Sequence, residues 1–252
     1  MKILLHISFL GTNYCGYQIQ PNGPTVQQKL NEATKALFGY DCDIVGCSRT
    51  DSGVHANHFC ATVTKKGTSE LITTIPADKI PVAISQFLPN DISVFAAEEV
   101  DSDFHPRYDV KYKEYVYRIW NKAERNPFLC DRTWHYPRRI DNDSLERMNQ
   151  AASRFVGTHD FAAYMSADTK IQDTVRTIYE ARVVRDGDVI EFYVSANGFL
   201  YNMVRILTGT LISVAEGKIS PEDIDKITES KERKNAGMTV SACGLFLNKV
   251  VY

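Results

Sequence analysis

The stretch TIYEARVVRDGDVIEFYVSAN, residues 177–197, predicts two strands joined by a tight turn at Asp186-Gly187. An Asp-Gly pair between two apolar-rich runs is typical of a β-hairpin, because glycine readily adopts the backbone conformation that such a turn needs. A hairpin makes neighbouring strands antiparallel, whereas strict alternation of strand and helix gives a parallel sheet. The stretch therefore favours an α+β fold with mainly antiparallel sheets.

Further strands and helices are predicted on both sides of this hairpin. The run MKILLHISFL alternates apolar with polar residues and lacks a small-residue cleavage site, so it predicts a strand and not a signal peptide. Helices are predicted over 25–38, 78–88, 143–156 and 199–216, with a shorter one after Pro221. Because both halves follow a similar plan, we expect two ferredoxin-like α/β halves, 1–104 and 105–252, meeting near FHPRYDV.

Composition indicates an ordinary globular protein. Of 252 residues, 44% are hydrophobic and 24% are charged, which argues against disorder. No apolar run approaches the roughly 20 residues that a membrane span requires. The six cysteines are scattered without a C-x-x-C pair, which is typical of reduced core thiols in a cytoplasmic protein, and the six histidines do not cluster. No metal site is expected.

Charge is distributed unevenly along the chain, although the net charge is only −2. Residues 67–104 contain one Lys against seven Asp and Glu, a balance of −6, whereas 107–154 contain eleven Lys and Arg against seven acids, a balance of +4. Basic residues interleaved with aromatic ones suit a phosphate backbone with unstacked bases. An exposed strand with ordinary solvated charges would show the same pattern, so the sequence leaves both interpretations open.

The segment GCSRTDSGVHA, residues 46–56, places the carboxylate of Asp51 in a turn of small residues between two predicted strands. Asp51 could simply form the turn by bonding its own backbone. Alternatively, the guanidinium of Arg49 keeps the carboxylate ionised, ready to attack an electron-poor carbon or stabilise an oxocarbenium ion. A metal held by Asp51 and His55 would lack a third ligand. Farther along, His159 and Asp160 favour a structural turn.

Other catalytic motifs are absent from the sequence. It contains no P-loop, dinucleotide fingerprint, serine-nucleophile elbow or H-E-x-x-H zinc motif. Nucleotide, dinucleotide, serine-hydrolase and zinc-protease chemistry therefore have no support.

SRTDSGVHA resembles the central motif of the TruA-type tRNA pseudouridine synthases, in which an R-T-D-x-G-V-H-A loop carries the catalytic aspartate. Other blocks similar to the family span nearly the whole chain in family order: GTNYCGYQIQ, TVQQKL, LPNDISV, FHPRYDVKYKEYVYRIW, AASRFVGTHDF, GFLYNMVRILTG and GLFLNKVVY. The chain departs from the usual family residues at Leu10, Tyr17, Ser48 and Glu114.

The resemblance implies a role for five residues. Asp51 is the nucleophile and Tyr115 stacks on the target uracil, while Arg49 engages the flipped nucleotide's backbone or the acid itself. Arg205 matches the active-site arginine, and Leu245 lines the pocket. From the residues alone, we would expect Tyr115 to be a core strand aromatic and Arg205 to be a charge at a helix end.

The implied activity is isomerisation of uridine to pseudouridine in the anticodon stem-loop, at tRNA positions 38–40, by base flipping into a catalytic cleft between the halves. Substrate and product are isomers, so no cofactor or metal is expected, and the resemblance implies a cytoplasmic homodimer that binds tRNA. Two alternatives stay open: a non-catalytic RNA-binding module in which Asp51 only forms a turn, and a pseudouridine synthase acting on other RNAs.

Overall fold

The computed structural model describes residues 1–166 and 171–252, which form two compact units. The first unit contains Met1–Lys111 together with Phe246–Tyr252, and the second contains Tyr112–Leu245. The sequence predicted a boundary between 104 and 105, with each half continuous in the chain. The last residues instead return to the first unit, because Phe246 and Leu247 pair in parallel with His55 and Ala56.

The described residues contain ten strands and five α-helices, joined by loops and short 3-10 helices. The strands are β1 Lys2–Phe9, β2 Cys42–Gly46, β3 His55–Lys65, β4 Ile92–Val100, β5 Tyr112–Trp120, β6 Trp134–His135, β7 Gly157–Asp160, β8 Val175–Asp186, β9 Val189–Ala196 and β10 Leu245–Val251. The helices are α1 Val26–Phe38, α2 Ile80–Ser85, α3 Asn142–Ser153, α4 Met203–Ala215 and α5 Asp223–Ser230.

The first unit has a ferredoxin-like topology. Its chain order is β1-α1-β2-β3-α2-β4, and its strands lie in the order β4-β1-β3-β2 with every neighbouring pair antiparallel. The alternating apolar residues of β1 explain its place at the centre, since Ile3, Leu5 and Ile7 are each at most 1% exposed. The predicted α+β fold with mainly antiparallel pairing is confirmed here.

The second unit contains the hairpin from which the fold was predicted. β8 and β9 are antiparallel and joined by a turn in which Gly187 has φ 57°, and the strands lie in the order β5-β9-β8-β7 with antiparallel neighbours. α3 packs against both α4 and β8. Along the chain, the main elements β5-α3-β8-β9-α4 follow the strand-helix-strand-strand-helix order of the first unit, with β6, β7 and α5 as additions. The strand after α5, β10, belongs to the first unit except for Leu245. Both predicted halves therefore show the same plan.

Several helix boundaries differ from prediction for local reasons. α1 agrees closely: Thr25 accepts a hydrogen bond from the N–H of Gln28, and Gly39, with φ 76°, ends the helix. α4 begins at Met203 and not near 199, because Asn202 takes a left-handed conformation, with φ 60°, that a helix cannot include. Within the described ranges, no helix is both long and apolar enough to span a bilayer.

Candidate active site

Asp51 lies in the turn between β2 and β3, half-buried. Its carbonyl oxygen accepts a hydrogen bond from the N–H of Val54, at 3.2 Å, and Gly53 has a φ of 77°. β2 and β3 are paired antiparallel on either side, from Cys42 opposite Lys65 to Gly46 opposite Ala61. The carboxylate is therefore carried by a closed turn that two paired strands support.

The loop after β1 holds this turn by direct hydrogen bonds. Tyr17 donates its N–H to the carbonyl of Thr50 at 3.2 Å, and Tyr14 accepts at its carbonyl from the N–H of Gly53 at 3.3 Å. The hydroxyl of Ser52 donates to the same Tyr14 carbonyl, also at 3.3 Å. These contacts involve residues on both sides of Asp51, so the backbone that carries the acid is fixed before any substrate arrives.

Two glycines of that loop allow the close approach. A Cβ placed on Gly11 would lie 2.0 Å from the carbonyl oxygen of Val54, and one on Gly16 would lie 2.5 Å from that of Thr50. Gly16 also has φ 80°, a conformation that other residues adopt only with strain. The GTNYCGYQIQ block is thus the structural partner of the Asp51 turn, a role that its sequence did not reveal.

His55, the first residue of β3, is hydrogen-bonded to the loop that holds the turn. It is fully buried, its Nδ1 accepts a hydrogen bond from the N–H of Gly11 at 2.9 Å, and its ring stacks on Phe246 at 4.5 Å between centroids. A nitrogen that accepts a backbone hydrogen bond inside the core is not available as a ligand for a metal beside Asp51. Arg49, two residues before the acid, is exposed.

Tyr115 lies in the middle of β5, opposite Val194 of β9, and is 8% exposed. Its ring meets that of Phe199 edge to face, with centroids 4.9 Å apart and planes at 82°. This contact fixes the orientation of the ring. Stacking of Tyr115 on a uracil stays a prediction.

Arg205, in the first turn of α4, is half-buried and anchored at two points. Its Nε donates to the carbonyl of Val240 at 2.7 Å, and its Nη1 donates to Oδ1 of Asn202 at 2.7 Å. The first bond ties α4 to the segment that leads into Leu245, which begins β10 and is 6% exposed. Arg205 is thus a fixed group, unlike a solvated charge at a helix end.

The structure places the five predicted residues in two groups. Arg49 and Asp51 share one turn of the first unit, whereas Tyr115, Arg205 and Leu245 belong to the second unit. Within the second unit, the hydrogen bond from Arg205 to Val240 links helix α4 to the segment that precedes Leu245.

Tyr17, one of the departures from the family pattern, is a core residue. It is 2% exposed, and its ring stacks on Phe59 with centroids 4.2 Å apart. Its hydroxyl is buried without a hydrogen-bond partner among the described residues. Burial, with a smaller effect of Cys47, raises the pKa of Tyr17 well above its usual value. The residue supports the Asp51 turn through its backbone and the core through its ring.

The expectation that the histidines do not cluster is wrong for His6 and His58. Nδ1 of His6 lies 2.8 Å from Nε2 of His58, and Sγ of Cys60 lies 3.4 Å from the same Nε2. These residues are far apart in sequence, but the register of β1 against β3 places His6 opposite Cys60. Burial chiefly lowers the pKa of His58 and raises the pKa of the Cys60 thiol.

The α+β fold and the acid-bearing turn agree with the class that the sequence resembles, the pseudouridine synthases. The sequence profile of the family described as tRNA pseudouridine synthase matches residues 6–109 and 151–252, which include Asp51, Arg205 and Leu245 but not Tyr115. The chain belongs to this family.

Curated relatives match over the full length. Proteins named tRNA pseudouridine synthase A from Caldicellulosiruptor bescii and Clostridium acetobutylicum are each 42% identical over 251 residues, covering 100% of this chain and 99% of theirs. The protein of that name from Acetivibrio thermocellus is 43% identical over 252 residues, with the same coverage. The segment around Tyr115 therefore has counterparts in relatives, although the family profile does not match it.

Proposed function

We propose that this protein isomerises uridine to pseudouridine in the anticodon stem-loop of tRNA, with Asp51 as the nucleophile. The observation that carries the proposal is the fixed turn: Asp51 lies between Thr50 and Ser52, both of which are bonded to the loop after β1. A carboxylate fixed in this way needs no reorganisation when a substrate arrives. Membership of the family supports tRNA as the substrate.

The target base has to leave the stem before it can react. Extruding a stacked and paired base costs a few kcal/mol. Tyr115 restores part of this cost by stacking on the uracil, which contributes about 1–3 kcal/mol per base. The edge-to-face contact with Phe199 supports this role, because a ring held in one orientation loses little freedom on binding.

Asp51 then breaks the bond between C1′ of the ribose and N1 of uracil, by attack on C1′ or on C6 of the base. The freed uracil turns and its C5 bonds to C1′, which displaces the Asp51 carboxylate from C1′; on the C6 route the carboxylate is eliminated from C6 instead. The proton on C5 leaves and N1 takes up a proton. Substrate and product have the same composition, so the reaction consumes neither an oxidant nor ATP.

The remaining predicted residues position the nucleotide. Arg49 is exposed, and a guanidinium in that position suits the phosphate backbone of the flipped nucleotide. Arg205, fixed by Val240 and Asn202, orients the substrate, and Leu245 provides an apolar contact for the base.

A homodimer accounts for tRNA binding by a chain of net charge −2. Two copies would bring two of the basic segments 107–154 to one tRNA, which strengthens the attraction to phosphates. A tRNA substrate and six free thiols support a cytoplasmic protein. Light scattering of the purified protein, expected to give twice the 28.5 kDa of one chain, tests the dimer.

The activity is tested with unmodified tRNA that carries tritium at C5 of uridine. Wild-type protein should release tritium, whereas Asp51→Asn, which keeps the shape of the side chain, should bind tRNA and release none. Asp78→Asn is the matched control, because Asp78 is an exposed acid of the first unit that forms an ion pair with its neighbour Lys79. If wild type binds several unmodified tRNAs and releases no tritium, a non-catalytic RNA-binding role replaces the proposal. Equal activity on unrelated RNAs would contradict the anticodon specificity.

A further inference from the structure

Three side chains with metal-binding atoms converge on one face of the first unit's sheet. His6 lies on β1 directly opposite Cys60 on β3, and His58 precedes Cys60 by two residues, which places it on the same face. One ligand atom from each residue lies within 4.8 Å of the others. Across residues 1–166 and 171–252, this is the one group of three or more His, Cys, Asp or Glu with such a geometry.

The separations suit a tetrahedral ion. With the bond lengths that zinc makes to histidine and cysteine, a nitrogen and a sulfur ligand lie about 3.6 Å apart and two nitrogens about 3.3 Å apart. Sγ of Cys60 is 3.4 Å from Nε2 of His58 and 3.7 Å from Nδ1 of His6. The two nitrogens, at 2.8 Å, are at hydrogen-bond distance and would move apart by about half an ångström to admit the ion.

A carboxylate contacts His6 at the ring nitrogen that does not face the other two side chains. The second ring nitrogen of His6, Nε2, is 2.9 Å from Oε1 of Glu98 on β4. Histidines that bind metals usually donate their other N–H to a carboxylate, which fixes the tautomer and makes the ligating nitrogen more basic. Here that hydrogen bond leaves Nδ1 of His6 to face His58 and Cys60. The observed contact thus supplies the outer partner that a metal site needs.

The three side chains differ in how far they are buried. Cys60 is fully buried, whereas His6 and His58 are half-buried. The thiol is therefore shielded from oxidants, whereas the two histidines remain partly accessible to an ion from solvent. Three protein ligands leave the fourth position of a tetrahedral ion to a water.

We propose that Nδ1 of His6, Nε2 of His58 and Sγ of Cys60 bind one zinc ion, in a site that takes no part in the isomerisation. Binding transfers the proton of the Cys60 thiol to solvent, because the thiolate is the ligand. The ion would connect β1 to β3, the strand that begins four residues after Asp51. Its role is structural: it stabilises the pairing of β1 with β3, and β3 is the strand that follows the acid-bearing turn.

Cobalt is a spectroscopic substitute for zinc that tests the site directly. Protein stripped with a chelator under reducing conditions should bind one Co²⁺ per chain, with a thiolate-to-cobalt charge-transfer band and tetrahedral visible bands, and one equivalent of Zn²⁺ should displace it. Cys60→Ala should abolish the charge-transfer band. Glu98→Gln should keep the band and weaken binding about tenfold, as loss of an outer carboxylate does elsewhere.

Two further variants make the result decisive. Cys130→Ser is the matched control, because Cys130 is an exposed free thiol and should contribute nothing to the band. His6→Asn changes a half-buried position and serves if Cys60→Ala fails to fold by circular dichroism; it should weaken cobalt binding and remove the rise in melting temperature that zinc gives the wild type. No stoichiometric cobalt binding by wild type, or a charge-transfer band that persists in Cys60→Ala or is lost in Cys130→Ser, overturns the proposal.

Discussion

Gly16 and Thr50 approach so closely that no side chain fits between them: a Cβ on Gly16 would lie 2.5 Å from the Thr50 carbonyl oxygen. Gly16→Ala should therefore push the loop after β1 away from the Asp51 turn. We expect the free energy of unfolding to fall by about 1–3 kcal/mol, the usual cost of such backbone strain. We also expect the single-turnover rate on tRNA to fall tenfold or more, since small misplacements of a catalytic group are costly.

The control for this variant is Gly39→Ala. Gly39 has nearly the same backbone conformation, with φ 76°, but a Cβ there would meet nothing within 4 Å. Its variant should lose less stability, because it incurs only the strain of the backbone conformation, and it should keep the wild-type rate. Equal rates for the two variants would show that the contact between loop and turn is not needed for catalysis.

Tyr17→Phe should stabilise the protein. The Tyr17 hydroxyl is buried and has no hydrogen-bond partner in the part of the chain that the structure describes. Its removal relieves the cost of desolvation, while the ring keeps its stacking on Phe59. The expected gain in the free energy of unfolding is about 1 kcal/mol, measured by urea denaturation. Tyr108→Phe, at a ring that is 76% exposed, should change stability very little. A loss of stability in Tyr17→Phe would mean that the hydroxyl makes a favourable bond.

Asp160 should contribute to stability above acidic pH. An ion pair with Lys231 at 2.8 Å, joined by a hydrogen bond from Thr174, lowers the pKa of Asp160. A lowered pKa in the folded state means that this stabilisation is present above the ordinary aspartate value of about 4 and is lost as pH falls through the lowered pKa. Asp160→Asn should lower the melting temperature at pH 7 and leave it nearly unchanged at pH 2. An equal loss at both pH values would contradict a charge effect.

Arg205→Lys should impair catalysis although the substitution keeps the positive charge. Lysine lacks the planar fork with which Arg205 reaches Val240 and Asn202 simultaneously, so the group would lose its fixed orientation. We expect a rate decrease of about tenfold at saturating tRNA, measured by tritium release. Arg182→Lys, at an exposed surface pair with Glu180, should have the wild-type rate. A wild-type rate for both variants would assign Arg205 to structure alone.

Local patterns predicted the elements of this fold well. The hairpin at Asp186-Gly187 and the capped helix after Thr25 are encoded by neighbouring residues, so a short window of sequence suffices to find them. The boundaries at 199 and 104 required information that such a window lacks. The start of α4 depends on the left-handed conformation of Asn202, and the first unit includes a strand from the far end of the chain.

The candidate site shows the same difference between features encoded by neighbouring residues and features that depend on distant ones. Asp51 was found from its own motif, but the reason for Gly11 and Gly16 became visible only when their contacts with Val54 and Thr50 were known. The group of His6, His58 and Cys60 depends on cross-strand register, which a sequence does not display. Residues that act through partners distant in sequence are thus the ones that pattern reasoning overlooks.

The return of Phe246–Tyr252 to the first unit sets an order of events during synthesis on the ribosome. Residues up to 111 emerge first, but the strand that pairs with His55 and Ala56 is translated only after the entire second unit. His55, whose ring stacks on Phe246, lacks that cover until then. In a nascent chain, His55 beside the acid-bearing turn would consequently stay uncovered until β10 is translated.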